Sequence, residues 1–228
     1  MHEPYRVSGA LLPTDRAAAT AIQDEMAKRT GEDVVGWKVG GELVGRVFEW
    51  DLYSSPASLP AERFRDTLVE VELVFRLLAN LPARSEPHGV DELVEAAVLV
   101  PTFEFVASRF AGAWPNPEIE SEWLLMTAHN AVVVGADLPD WKGANLLEIP
   151  ISASIDDGAP LPLVPPERRR DLVDTLVWLV NQLSGRGIGL SAGQVATLGA
   201  AIAGVPMGRS VTAEVGDWGR IEATVADA

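Results

Sequence analysis

The sequence predicts an α+β fold: short peripheral helices around one dominant antiparallel or mixed β-sheet that is rolled on itself. Three observations carry this expectation. The stretch Val69-Glu70-Val71-Glu72-Leu73-Val74-Phe75 alternates like a strand. Segments 211–215 and 220–225 alternate on either side of Gly216-Asp217-Trp218-Gly219, the pattern of a hairpin. The helical patterns are short, and no glycine pair has the spacing that cradles a phosphate, which removes dinucleotide-binding and P-loop architectures.

The chain has 228 residues, 47% of them hydrophobic, enough for a sizeable core. It reads as a single catalytic domain over 1–228, with an N-terminal helical segment, 1–33, packed on it. The net charge is −15 and the pI about 4.5, so nucleic acid is not an expected partner, because a phosphate-binding surface needs a basic patch. The cluster Arg168-Arg169-Arg170 reads as a solvated run at a helix start. The absence of cysteine excludes disulfides, thiolate metal sites and cysteine nucleophiles. No apolar run approaches a membrane span, and Met-His-Glu-Pro-Tyr-Arg lacks the core of a signal peptide, so the expectation is a soluble cytoplasmic protein with no membrane partner.

In chain order, 14–28 reads as a structural helix capped at Thr14 or Asp15 and ended by Gly31. Val34-Val35-Gly36-Trp37-Lys38-Val39-Gly40-Gly41 reads as a short buried strand with one lysine. Burying an unpaired ammonium is costly, so Lys38 either snorkels at a strand end or serves as an acid/base or carboxylate-binding group. Segment 45–52 shows no period, and its acids and aromatics suit a pocket mouth or an ordinary loop.

In the next strand, successive side chains face opposite sides. Val69, Val71, Leu73, Phe75 and Leu77 form one apolar face, and Glu70 and Glu72 share the other with Val74. Adjacent like charges destabilise a strand unless something neutralises them. Either this is a solvated outer face, or a hard divalent cation takes the carboxylates.

His88 lies among Pro and Gly and reads as exposed; 91–98 reads as a helix. Pro101-Thr102-Phe103-Glu104-Phe105-Val106-Ala107-Ser108-Arg109 reads as a strand whose Glu104 faces outward or is paired. Arg109 serves the same site only if the strand bulges or ends between them. Asn116-Pro117-Glu118 starts a helix that runs on through 123–128. His129-Asn130 precedes an apolar strand, 131–134. Segment 149–155 reads as a strand, Pro165-Pro166 as the opening of a helix with Leu172, Leu176, Leu179 and Leu183 in its core stripe, and 194–198 as a further strand.

The ordered set Gly36-Trp37-Lys38-Val39-Gly40, Val69-Glu70-Val71-Glu72, 101–109 and His129-Asn130 resembles the fumarylacetoacetate hydrolase superfamily, most closely its 2-keto-4-pentenoate hydratase and 4-oxalocrotonate decarboxylase branch. Val177-Trp178-Leu179-Val180-Asn181-Gln182-Leu183, Gly185 and Leu190-Ser191-Ala192-Gly193 resemble that branch's C-terminal stretch, so the likeness covers nearly the whole chain in order. It implies a rolled mixed β fold with an Mg²⁺ or Mn²⁺ site in which Glu70, Glu72 and Glu104 bind the ion and a 2-oxo acid chelates it. It also implies that Lys38 lies at the substrate, that Arg109 orients a carboxylate or supports a ligand, and that the protein is a homo-oligomer.

The chain departs from the family pattern at several positions. The family's D-S-R reads Ala107-Ser108-Arg109, its A-D-N reads Ala128-His129-Asn130, and its L-T-G-S reads Thr197-Leu198-Gly199-Ala200. His129 stands where an acid is lost and is the candidate replacement for proton transfer. The expected activity is a metal-dependent lyase of the hydratase type on an unsaturated 2-oxo acid. The rivals are a decarboxylase on the same site, a C–C hydrolase, and a non-catalytic member acting as partner subunit or binding protein.

Overall fold

The two most β-prone stretches become the two longest strands and pair with each other. The computed structural model describes residues 15–64, 67–107, 131–138 and 141–226. Strand β5 (Leu68–Leu77) runs antiparallel to β6 (Ala97–Val106) without interruption, from Leu68 opposite Val106 to Leu77 opposite Ala97. On its other edge β5 takes β9 (Val195–Thr197) near its C-terminal end and β10 (Ala200–Pro206) near its start. Beyond β9 lie β1 (Val34–Gly40) and β2 (Leu43–Phe48); beyond β6 lie β7 (Ala131–Val134) and β3 (Leu52–Ser54). The result is one curled eight-stranded sheet of mixed direction, parallel at β1/β9 and β3/β7. A second sheet orders β4 (Ala57–Leu59), β12 (Gly219–Val225), β11 (Ser210–Val215) and β8 (Ile151–Ile155).

Four helices complete the described chain: α1 (Arg16–Thr30), α2 (Ala61–Phe64), α3 (Val90–Glu95) and α4 (Leu172–Ser184). In α1 the Asp15 carboxylate accepts from the Ala18 amide at 2.8 Å, and Gly31 ends the helix at φ 66. Asp24 of α1 is ion-paired to Arg46 of β2 and to Arg186. The leucine stripe of α4 is buried as its spacing predicts, with Leu179 and Leu183 fully inaccessible. The apolar face of β5, with Phe103 and Phe105 of β6, packs into the same core as α4 and the smaller sheet.

Several expectations change. The helix opened by Pro165-Pro166 begins only at Leu172, capped by Asp171; Pro166–Arg168 form a separate 3-10 turn, so the arginine run precedes the helix. The predicted helix 91–98 is Val90–Glu95, and the following residues join β6. His88 is buried, not exposed: its ring nitrogens contact Glu92 at 3.0 Å and the Pro82 carbonyl at 3.1 Å, and Asn181 of α4 bonds its backbone on both sides. Segment 45–52 is no mere loop, because β2 closes a hairpin with β1 through Gly41 at φ 66. Within it Asp51 is fully buried and ion-paired to Arg63, which makes it a structural anchor. The predicted helix 116–128 lies outside the described residues.

Candidate metal centre

The unbroken β5/β6 register decides where the glutamates go. Glu70 stands directly opposite Glu104, and Glu72 opposite Thr102, so all four side chains share one face of the sheet. That face is not solvated. Glu72 and Glu104 are each 3% exposed and Glu70 is half-buried, which removes the reading of a wet outer face. One carboxylate oxygen from each glutamate lies within 4.8 Å of the others.

Lys38 completes the cluster. It is 7% exposed on β1, and its ammonium is ion-paired to Glu104. Strands β1 and β6 are separated by β9 and β5, about 14 Å in a flat sheet, more than the two side chains reach together. The pair closes because the sheet curls and Lys38 points into the concave side. The structure therefore selects the buried, paired reading of this lysine.

Two glycines aim backbone amides at the carboxylates. Leu198 and Gly199 donate to Glu72 Oε2 at 3.2 and 3.4 Å, and Gly199 sits at φ +150, in a region L side chains rarely adopt. Register shifts in β10 turn Gly204, at φ +51, so that its backbone hydrogen-bonds Glu70. These contacts partly offset burial without cancelling it. Burial, reinforced by the negative charge of Glu104, pushes the Glu70 carboxyl up to about 7. Burial pushes Glu72 well above the usual carboxylate range, with Glu104 and Glu70 adding to the effect.

The donor set fits a hard divalent cation. Octahedral Mg²⁺ with oxygen at about 2.1 Å spaces its ligands about 3.0 Å apart when adjacent and about 4.2 Å when opposed, within the span seen here. Three carboxylates and one ammonium also sum to the charge that a divalent ion neutralises. Among the described residues this is the only group of three or more acids or histidines arranged to hold an ion.

No family model matches the sequence, and no curated protein matches it. Solved structures do match. 4-Oxalocrotonate decarboxylase from Pseudomonas putida G7, complexed with magnesium and adipate, is 16% identical with a TM-score of 0.74, covering 93% of this chain and 86% of its own. A fumarylacetoacetate hydrolase family protein from yeast is 12% identical with a TM-score of 0.55, over 81% and 86%. Maleylpyruvate hydrolase from Sphingobium sp. SYK-6, in complex with manganese(II) and pyruvate, is 14% identical with a TM-score of 0.53, over 80% and 64%. The chain has the fumarylacetoacetate hydrolase fold.

Within that fold, four of the six residues singled out by sequence, Lys38, Glu70, Glu72 and Glu104, converge on one point. Arg109 and His129 lie outside the described residues. Ala200, where the family pattern has a serine, stands directly across from Glu72. The sequence reading passed over three features that lie at or beside the cluster. The amides of Leu198, Gly199 and Gly204 carried no side-chain signal. Thr102 was passed over between Pro101 and Phe103. Arg170, assigned to a solvated run, lays its aliphatic stem beside Gly199, with its Cδ 3.5 Å from where a Cβ there would stand.

Proposed function

We propose that this chain is a divalent-metal-dependent lyase of the hydratase type, acting on an unsaturated 2-oxo acid. The observation that carries the proposal is the triad of buried Glu72 and Glu104 with half-buried Glu70, and Lys38 ion-paired to Glu104. The magnesium and manganese complexes among the fold relatives, one with adipate and one with pyruvate, support both the ion and the class of ligand.

Glu70, Glu72 and Glu104 hold Mg²⁺ or Mn²⁺. The ion, when bound, supplies Lewis-acid polarisation of a 2-oxo group. The Leu198, Gly199 and Gly204 amides fix the ligand carboxylates beforehand, so little reorganisation is needed on loading. Lys38 faces the same point from β1; its ammonium stabilises negative charge developing on the substrate oxygen, or donates a proton there. Arg109 orients a substrate carboxylate, and His129 moves a proton to or from carbon. Burial of the carboxylates keeps bulk water off the reacting atoms.

A second reading uses the same residues for decarboxylation of a 2-oxo dicarboxylic acid. It is favoured by the high coverage and TM-score of the 4-oxalocrotonate decarboxylase match. We also expect a homo-oligomer with a small-molecule substrate.

The test is calorimetric titration with oxalate, a mimic of a 2-oxo acid enolate, with Mg²⁺ present and after the metal is stripped. The expected result is binding that requires Mg²⁺ and is lost in Glu72→Ala. A protein that binds Mg²⁺ but not oxalate takes another ligand class. A protein that binds neither makes the triad a structural relic, and the non-catalytic alternative then stands.

A further inference from the structure

Thr102 has the one buried side-chain polar atom without a hydrogen-bond partner among the described residues. The residue is fully inaccessible to bulk solvent. A buried hydroxyl left unpaired costs free energy, and valine has nearly the same shape without that cost. The position is one where valine would serve packing well: Val100 precedes it on the same face of β6, and Val134 of β7 stands beside it in register. Packing alone therefore does not account for a hydroxyl here.

Its location does. Thr102 is directly opposite Glu72 across the β5/β6 pair, and Glu104 follows two residues later on the same face. The unpartnered hydroxyl thus belongs to the wall of the carboxylate cluster, in a row that runs Ala200, Glu72, Thr102, Val134 across three strand pairings. A hydroxyl can both donate and accept. An oxygen ligand of a cation held by this cluster, a carboxylate oxygen or a water, offers such a partner.

We propose that Thr102 is a positioning residue of this centre, its hydroxyl hydrogen-bonding an oxygen ligand of the loaded cation. The inference rests on the cation reading given above and adds a contributor to it from outside the acidic triad. Removing the hydroxyl should weaken the ion's hold without harming the fold, because the metal-free protein makes no use of it.

The experiment measures Mn²⁺ affinity by calorimetry and Mn²⁺ electron paramagnetic resonance for wild type, Thr102→Val, Thr102→Ala and Thr102→Ser, alongside the thermal midpoint of each metal-free protein. Thr102→Val is expected to bind Mn²⁺ about tenfold more weakly, as for loss of a group supporting a metal ligand. Its metal-free midpoint should be equal to or above wild type. Thr102→Ser should stay within about twofold of wild type, since it keeps the hydroxyl. Thr102→Ala covers the case in which the valine variant does not fold, and should show the same loss of affinity. A Thr102→Val protein that matches wild type in Mn²⁺ affinity overturns the inference while leaving the triad intact. So does one whose metal-free midpoint falls with its affinity unchanged, since that is a packing role. A wild type that binds no Mn²⁺ overturns the cation reading and this inference together.

Discussion

Glu72 is where the molecule's electrostatic problem is concentrated. It is buried, it receives two backbone amides, and Glu70 and Glu104 share its face of the sheet. Replacing a crowded buried carboxylate with a neutral isostere removes the desolvation and repulsion together, and such replacements are often neutral or stabilising. Glu72→Gln should therefore melt at or above the wild-type temperature when metal-free, yet fail to bind Mn²⁺ in an equilibrium titration. A variant that is both destabilised and fully Mn²⁺-competent would show that Glu72 is a structural carboxylate. The sequence already held this residue's identity and its face, through the Glu-x-Glu spacing inside an alternating strand. It did not hold the burial, because the same alternation describes a wet outer face.

At the scale of the element, β1 is held in place by its lack of side chains as much as by those it has. A Cβ on Gly36 would meet the Val195 carbonyl oxygen and Cγ2 at 2.7 Å, so β1 and β9 run as close as they do only because glycine stands there. Lys38 lies two residues along the same strand. Gly36→Ala should cost about 1–3 kcal/mol by overpacking, read as a lower midpoint in urea unfolding. It should also leave Mn²⁺ binding intact or tighter, because displacing Lys38 from Glu104 removes a competing positive charge from a ligand carboxylate. Unchanged stability would mean that β9 yields freely and does not set the position of the lysine. The glycine-flanked pattern of this strand was legible in the sequence. Strand β10 was not: Ala-Ala-Ile-Ala-Gly-Val-Pro has little β propensity and no alternation, and only pairing with β5 makes it a strand.

For the whole molecule, the buried acids link stability to pH and to metal. Glu70 has a folded value of about 7 against an ordinary 4.5. A carboxyl raised on folding contributes stability that is complete below the unfolded value and is lost as pH rises through the folded one. Glu72 is displaced in the same direction. Metal-free protein should therefore lose stability between about pH 4.5 and pH 7, by up to about 1.4 kcal/mol per unit for each such group. Metal binding must expel these protons, so affinity rises with pH over the same window. Melting curves at pH 5.5 and pH 8, with chelator and with excess Mn²⁺, give the check: the gain from Mn²⁺ should be larger at pH 8. An ion at one hundred times its dissociation constant adds about 2.7 kcal/mol. A gain that shrinks as pH rises would contradict the carboxylate assignment.

The sequence by itself determined the fold class, the strand that carries the glutamates, the apolar face opposite them, the leucine stripe of α4 and the C-terminal hairpin. The elements among these are local, fixed by a period of two or of 3.6 that neighbouring residues carry among themselves, and the fold class follows from their mix. The tertiary structure decided everything that depends on which strands meet. The β5/β6 register sets Glu70 against Glu104 and places Thr102 beside Glu72. The curl of the sheet brings Lys38 to Glu104 across two intervening strands. The bulged path of β10 and the turn at Gly199 aim their amides at the carboxylates. No periodicity within a segment encodes these relations, because each is a distance between residues far apart in the chain, and only the closed sheet makes those distances short.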